Sequence, residues 1–290
     1  MTFRLVHELA ADGIPVAVTC RKLEVSRAGY YEWLDREPSK RSIADATLSD
    51  RIRQIHLSSR ASYGAPRVHA ELRLGLGLRC GRKRVARLMR AAGLQGISHR
   101  RKRGRKPDPA VHDDLVQRRF VAEAPDRLWA TDVTEHPTGE GKVYCCAVID
   151  AYSRVVVGWS IADHMRTELV VDALQMAQWR RRPAPGTVVH SDRGSVYTSW
   201  AFGHRLREAG LLGSMGRVAS SVDNTMVESF WSTMQRELLD TRTWSTRSKL
   251  ASAIFEWIEA WYNPRRRHSG LGYLAPIEYE NLHNAALTAA

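Results

Sequence analysis

The chain has 290 residues, 43% apolar and 26% charged, an ordinary globular balance and enough length to bury a core without disulfide staples. Its charge is less ordinary: 44 Lys and Arg against 31 Asp and Glu leave a formal +13 at pH 7. The longest mid-chain apolar run, Val143 to Ile149, is far too short to cross a bilayer, and Arg4, His7, Glu8 and Asp12 interrupt the apolar stretch a signal peptide needs, which disfavours membrane-embedded and secreted readings. Four cysteines, Cys20, Cys80, Cys145 and Cys146, include no C-x-x-C pair, and adjacent thiols suit neither a zinc site nor a disulfide framework, so buried reduced thiols in a cytosolic protein are expected.

In chain order, residues 1–38 read as short helices. One spans Pro15 to Leu23. A tight turn follows, and Ser26 is placed to cap a second helix carrying Tyr30, Tyr31, Trp33 and Leu34. This pattern fits a helix-turn-helix and, equally, a plain packing hairpin. Leu48, Ile52 and Ile55 keep helical spacing over 44–58. After a turn at Ser62-Tyr63-Gly64, a helix from about Pro66 to Leu74 is expected, with its proline in the first turn. The next helix places Val85, Leu88, Met89 and Ala92 on one stripe, with Arg82, Lys83, Arg84, Arg87 and Arg90 on its other faces.

No acid falls between Glu71 and Asp108, where Arg73, Arg79, Arg82, Lys83, Arg84, Arg87, Arg90, Arg100, Arg101, Lys102, Arg103, Arg105 and Lys106 together equal the whole positive surplus. A single-sign block of this length points to a polyanion, nucleic acid first. Within it, residues 98–110 read as a linker, because like charges repel and prolines block helix. The expected organisation is a helical helix-turn-helix-like DNA-binding region over 1–97, a basic linker over 98–122, and an α/β domain with a helical extension over 123–290.

Beyond the linker the texture changes. Leu128 to His136, Lys142 to Tyr152, Val155 to Ile161 and Thr187 to Asp192 read as strands, with a further short segment near Leu211 to Met215. Helices are expected from Thr167, which would cap the first of them, over about 198–209, over about 223–239, and over 246–262. Three meandering strands followed by alternation imply a mixed sheet with helices on both faces.

Three acids stand at informative places. Asp132 lies inside a strand, where Asp is disfavoured; Asp192 ends another; Glu228 sits near the start of a helix, at the edge of a stripe of Val227, Phe230, Trp231, Met234 and Leu238. Carboxylates gathered together repel, and hard divalent cations with phosphate oxygens in their shell relieve that repulsion. Asp192 could instead serve a turn, Glu228 a capping box with Thr225, and Asp132 a buried cation. Asp150, Asp163, Asp172, Asp223 and Glu237 compete, Asp150 most strongly because it too ends a strand. His190, two residues before Asp192, reads as a core histidine.

Five stretches carry a family resemblance: Ser62-Tyr-Gly-Ala-Pro-Arg-Val, Leu128-Trp-Ala-Thr-Asp132-Val-Thr, His190-Ser-Asp192-Arg-Gly-Ser-Val-Tyr, Asp223-Asn-Thr-Met-Val-Glu228-Ser-Phe-Trp, and Tyr262-Asn-Pro-Arg-Arg-Arg-His268-Ser-Gly-Leu-Gly-Tyr. Through them the chain resembles the second-frame product of insertion sequence family 3 transposases, which carries a retroviral-integrase-like catalytic core. The family's acidic triad has 35 residues between its last two members, as do Asp192 and Glu228. The resemblance implies an RNase-H-like five-stranded mixed sheet and a DDE triad of Asp132, Asp192 and Glu228. That triad would hold two Mg²⁺ ions, with Mn²⁺ able to substitute. It implies DNA strand cleavage at element ends by activated water, then attack of the freed 3′-OH on another strand.

The implied partners are double-stranded DNA, further copies of the chain on that DNA, and the upstream-frame protein as a fusion or partner; the implied location is the bacterial cytoplasm, at the nucleoid. Where many relatives place Lys or Arg seven residues after the glutamate, this chain has Gln235, with Arg236 next to it, about 100° round the helix. Arg265, Arg266 and Arg267 are a second candidate DNA contact, beside the Arg82–Lys106 block. A non-catalytic DNA-binding regulator of transposition is the alternative reading, and a simple nuclease a third.

Overall fold

The structure is a computed structural model and describes residues 2–97, 122–192, 194–215 and 225–289. It forms two compact units, Met1–Arg53 and Gln54–Ala290.

The first unit holds α1 (Thr2–Ala11), α2 (Val16–Lys22) and α3 (Arg27–Asp35), then most of α4 (Lys40–Ser58). Val6, Cys20 and Tyr30 are its buried centre, with Phe3, Val16, Leu23, Val25 and Trp33 packed around them. Ser26 caps α3 as its position predicts: its hydroxyl accepts from the Gly29 N–H at 3.3 Å.

In the second unit, the end of α4 turns back through Arg60 and Ala61, both left-handed, into α5 (Ala65–Ala70). A wide turn over Glu71–Gly75 leads to α6 (Arg82–Ala91), which buries the expected Val85, Leu88 and Met89. The chain then returns so that Ile97 N–H bonds Ser62 O at 3.1 Å. Gly96 allows this approach, since a Cβ there would lie 2.1 Å from the Gly64 nitrogen.

β1 (Leu128–Thr138), β2 (Gly141–Asp150), β3 (Val156–Ala162), α7 (Thr167–Arg181), β4 (Val188–Ser191), α8 (Trp200–Glu208) and β5 (Leu212–Met215) follow. The sheet order is β3-β2-β1-β4-β5, with an antiparallel β1-β2-β3 meander and β4 and β5 running parallel to β1. This is the expected RNase-H-like arrangement. On one face α7 and α8 pack over Trp129, Cys146, Val148, Val157 and Val189. Contact with α7 is close enough that a Cβ on Gly158 would fall 2.2 Å from Ala173 O. On the other face, α9 (Thr225–Glu237) packs against β1 and α10 (Arg247–Glu256) against β2. α11 (Asn263–Arg265) and α12 (Pro276–Ala289) close the unit.

Local differences from expectation have physical causes. Thr167 is the first helical residue of α7, and Arg166 stands at the cap position without a side-chain bond. α8 starts two residues later than expected because Ser199 caps it, accepting from Phe202 N–H at 3.3 Å. The single helix expected over 246–262 is α10 followed by a π-helical turn, Trp257–Tyr262. There Trp257, Ile258, Trp261 and Tyr262 are all buried, more apolar bulk than one α-helical stripe can turn inward.

The expected linker lies, except for residue 122, outside the described residues. The compact division falls at Arg53, because residues 54–97 are tied to the far end of the chain. Tyr63 hydroxyl donates to Arg265 O and accepts from Arg267 N–H, Arg67 Nε donates to Arg267 O, and Arg267 Nε donates to Glu71 at 2.6 Å. Among the described residues, no helix is long and apolar enough to cross a membrane.

Candidate active site

β1 and β4 run parallel with Leu128, Trp129 and Ala130 opposite Val188, Val189 and His190. The ladder stops there. Carried on by two residues, the same register sets Asp132 level with Asp192, just past the carboxyl end of β4, where open α/β sheets place their ligands. Side chains alternate along β1, so Asp132 points to the face opposite Thr131, towards α9. There Glu228, in the first turn of α9, contributes to the field at Asp132.

Asp132 is half-buried, while Asp192 and Glu228 are exposed. Burial first, and then the charges of Asp192 and Glu228, push the Asp132 carboxyl up to about 6; the Val133 N–H and the Trp231 indole act the other way. The Trp231 N–H is buried without a full hydrogen bond, so it faces Asp132 at longer range. Asp192 Oδ1 accepts from Gly194 N–H at 2.9 Å, so it also serves the turn that sequence reasoning allowed. The three acids thus share one electrostatic environment. Among the described residues, no three His, Cys, Asp or Glu side chains stand close enough to hold an ion between them.

An acid whose folded pKa is raised binds its proton more tightly folded than unfolded, so Asp132 makes stability fall as pH rises from about 4 to about 6. Asp132→Asn is therefore expected to raise Tm above pH 6 and to leave it nearly unchanged below pH 4, measured by thermal melts in chelator. An unchanged Tm at pH 7 would show that the carboxylate is not destabilised by its surroundings.

Three of the five competing acids are engaged elsewhere. Asp150 is fully buried and accepts from the N–H groups of Asp126, Tyr152 and Ser153 at 2.7, 3.0 and 2.8 Å, a structural role at the end of β2. Asp163 pairs with Arg247, and Glu237 with Arg266. Asp172 is exposed on α7, and Asp223 lies outside the described residues. His190 is buried and its Nδ1 meets Ser214 Oγ at 3.1 Å, as a core histidine should.

The candidate DNA contacts divide into three groups. Arg82, Lys83 and Arg87 are exposed on α6 and Arg84 is half-buried there; Arg265 is exposed on α11. Arg100, Arg101, Lys102, Arg103, Arg105 and Lys106 lie outside the described residues. Arg266 and Arg267 are a correction: both are 4% exposed. Arg266 makes a bidentate pair with Glu237, and Arg267 joins Glu71 and Glu278. Burial works against the Arg266 charge, yet Glu237 outweighs it and the net shift is upward. Side chains so enclosed are structural and cannot reach a phosphate without breaking these pairs. At the position where relatives carry a basic residue, Gln235 donates to Asp240, and Arg236 donates to Ser232 Oγ at 2.8 Å.

Sequence reasoning placed Trp231 in the buried stripe of α9 without seeing that its N–H faces Asp132. The three-residue spacing from Glu228, one helical turn, carried that signal. It gave Thr131 and Tyr197 no role beyond their places in the motif stretches.

Comparison with known proteins bears on the same segments. An integrase core domain model matches residues 122–221, a second integrase core model residues 210–276, and an HTH-like domain model residues 42–103. The transposase for insertion sequence element IS904 of Lactococcus lactis is 37% identical over 87% of this chain and 100% of its own length. The transposase for IS629 of Shigella sonnei is 38% identical over 94% of this chain and 93% of its own. The chain belongs to the insertion sequence family 3 transposases. The HTH-like match starts at residue 42, so it takes in α5 and α6 and leaves out the α2–α3 pair. Among solved structures, the HTLV-2 integrase catalytic core domain in complex with magnesium aligns with 55% of this chain and 98% of its own, at 14% identity and a TM-score of 0.42.

Proposed function

We propose that this transposase cleaves DNA strands at the ends of its insertion sequence and joins the freed 3′ ends to another DNA strand, with Asp132, Asp192 and Glu228 as its catalytic acids. The observation that supports this most is the parallel β1/β4 register, which, carried on two residues past its last pair, brings Asp132 and Asp192 level, while the charge of Glu228 on α9 acts on Asp132. The donor set suits a hard divalent cation. It is all carboxylate oxygen, and Asp132 carries a like-charge penalty that positive charge relieves. The ions would be two Mg²⁺, replaceable by Mn²⁺, and the chemistry they supply is charge stabilisation at the attacking and leaving oxygens of an in-line phosphoryl displacement.

The remaining work falls to the chain. Asp132 must be ionised to act, and a cation bound beside it would favour that form. Asp192 and Glu228 are exposed, so they can turn towards Asp132 as the site fills. α6, with Arg82, Lys83 and Arg87 outward, suits phosphate contact, and the 98–106 block would add to it. In the first step a water oxygen replaces the 3′ oxygen on phosphorus. In the second the freed 3′ oxygen displaces another 3′ oxygen from a target phosphorus, so the number of phosphodiester bonds is conserved in transfer. The reaction takes place in the bacterial cytoplasm, at the nucleoid, by several copies on DNA, with the upstream-frame protein as fusion or partner.

A strand-transfer assay with pre-cut element ends and Mg²⁺ tests the proposal. Joined products are expected. Hydrolysis without joining would mean a nuclease, and binding with neither would mean a regulator.

A further inference from the structure

The backbone ladder between β1 and β4 ends at Ala130 and His190, two residues short of Asp132 and Asp192. Past that point, some other contact must hold the two strand ends side by side. On the face opposite Asp132, Thr131 Oγ1 lies 3.2 Å from the hydroxyl of Tyr197. Tyr197 follows Asp192 by five residues, in the segment that leads into α8. Its ring is 2% exposed and meets Phe202 edge-on at 5.3 Å, so α8 and the core fix its place. Cys146 Sγ on β2 lies 3.5 Å from Thr131 Oγ1 and 3.8 Å from the Tyr197 hydroxyl, closing a three-membered polar cluster in an otherwise apolar layer.

We infer that Tyr197 is a positioning residue, whose hydroxyl bond to Thr131 sets the separation of the Asp132 and Asp192 carboxylates where the backbone ladder no longer does. A buried hydroxyl pair is directional and costly to break in an apolar layer, so it holds a spacing more firmly than packing alone. Thr131 is the residue directly before Asp132, so displacing its side chain also rotates the aspartate's backbone. Groups behind a metal ligand typically change metal affinity about 10–100-fold when removed. The inference rests on the triad reading above, and a metal-binding measurement separates the two.

The test is Mg²⁺ affinity of the full chain without DNA, by calorimetry and by the Mg²⁺-induced rise in Tm, for wild type and for Tyr197→Phe, Thr131→Val, Thr131→Ser and Asp132→Asn. Tyr197→Phe keeps the buried ring, so the metal-free fold should melt within a few degrees of wild type. Its Mg²⁺ affinity is expected to fall about tenfold. Thr131→Val should produce the same loss, the double variant no more than either, and Thr131→Ser, which keeps the hydroxyl, should restore it. Wild-type Mg²⁺ affinity in Tyr197→Phe, or additive losses in the double variant, would overturn the positioning role. Undiminished Mg²⁺ binding in Asp132→Asn would instead overturn the triad reading itself. If Tyr197→Phe failed to fold, the Thr131→Val and Thr131→Ser pair would decide, since equal affinities in those two would overturn the inference.

Discussion

Asp132→Asn is expected to reduce Mg²⁺-dependent cleavage and joining of element-end DNA by about 10³-fold or more, with DNA binding retained. The substitution preserves shape and removes one charge. Asp132 is the most enclosed of the three acids and the one on which the fields of the other two converge. Losing it removes a proposed ligand oxygen and the anionic charge together. Glu228→Gln should match it, because Glu228, in the first turn of α9, adds its charge to the field at Asp132. DNA affinity, read by filter binding at fixed salt, should change less than threefold. The surfaces proposed to hold phosphate, α6 and the 98–106 block, lie on other segments. A variant that still cut and joined DNA at the wild-type rate would remove the catalytic role from this site.

The largest stability effect is expected at the opposite end of α9. Arg266 and Glu237 form a bidentate pair, with side chains only 5% exposed on each side. Removing one partner strands a buried charge, so Arg266→Met should cost about 3–5 kcal/mol in urea unfolding. Glu237→Met should cost a similar amount. The double replacement should recover most of the loss, because two apolar side chains of similar volume leave no unpaired charge behind. Additive losses would instead mean that each residue acts through separate contacts. The pair joins α9, the helix that carries Glu228, to the segment that also clasps Tyr63 and Arg67, so its loss should loosen the fold from both sides.

These two sites differ in how readable they are from sequence. The strands and the mixed sheet could be seen in advance because they rest on local patterning, whereas Asp132, Asp192 and Glu228 stood out from the competing acids through the family resemblance. β1 to β3 are rich in β-branched and aromatic residues and form a meander, β4 is a short buried strand, and the apolar stripe of α9 fixes which side of the helix Glu228 occupies. The Arg265–Arg267 run read as a candidate DNA contact. Its true partners lie 29 residues away for Arg266, and 196 and 11 away for Arg267. No periodicity links residues that distant, and only the closed fold shows that two of the three cations are enclosed. Asp150 was ambiguous for a related reason. An acid at a strand end serves equally as a ligand or as an acceptor for the next turn, and the N–H groups of Asp126, Tyr152 and Ser153 decide it only once they are placed. Tyr197 gave no local sign, since a tyrosine among small and polar residues shows no role until its hydroxyl is placed beside Thr131.

The π-helical turn at Trp257–Tyr262 works as a phase shifter for everything after it. It adds one residue to the winding, and this sets the rotational phase at which Asn263 meets β3, bonding Val156 through both its amide oxygen and its amide nitrogen. The same phase directs Arg266 and Arg267 to carboxylates on opposite sides of their segment. Shortening the turn by a single residue would leave the helix about as long, yet would swing each later side chain by about 100°. A one-residue deletion in this stretch is therefore expected to displace more contacts than an aromatic exchange within it.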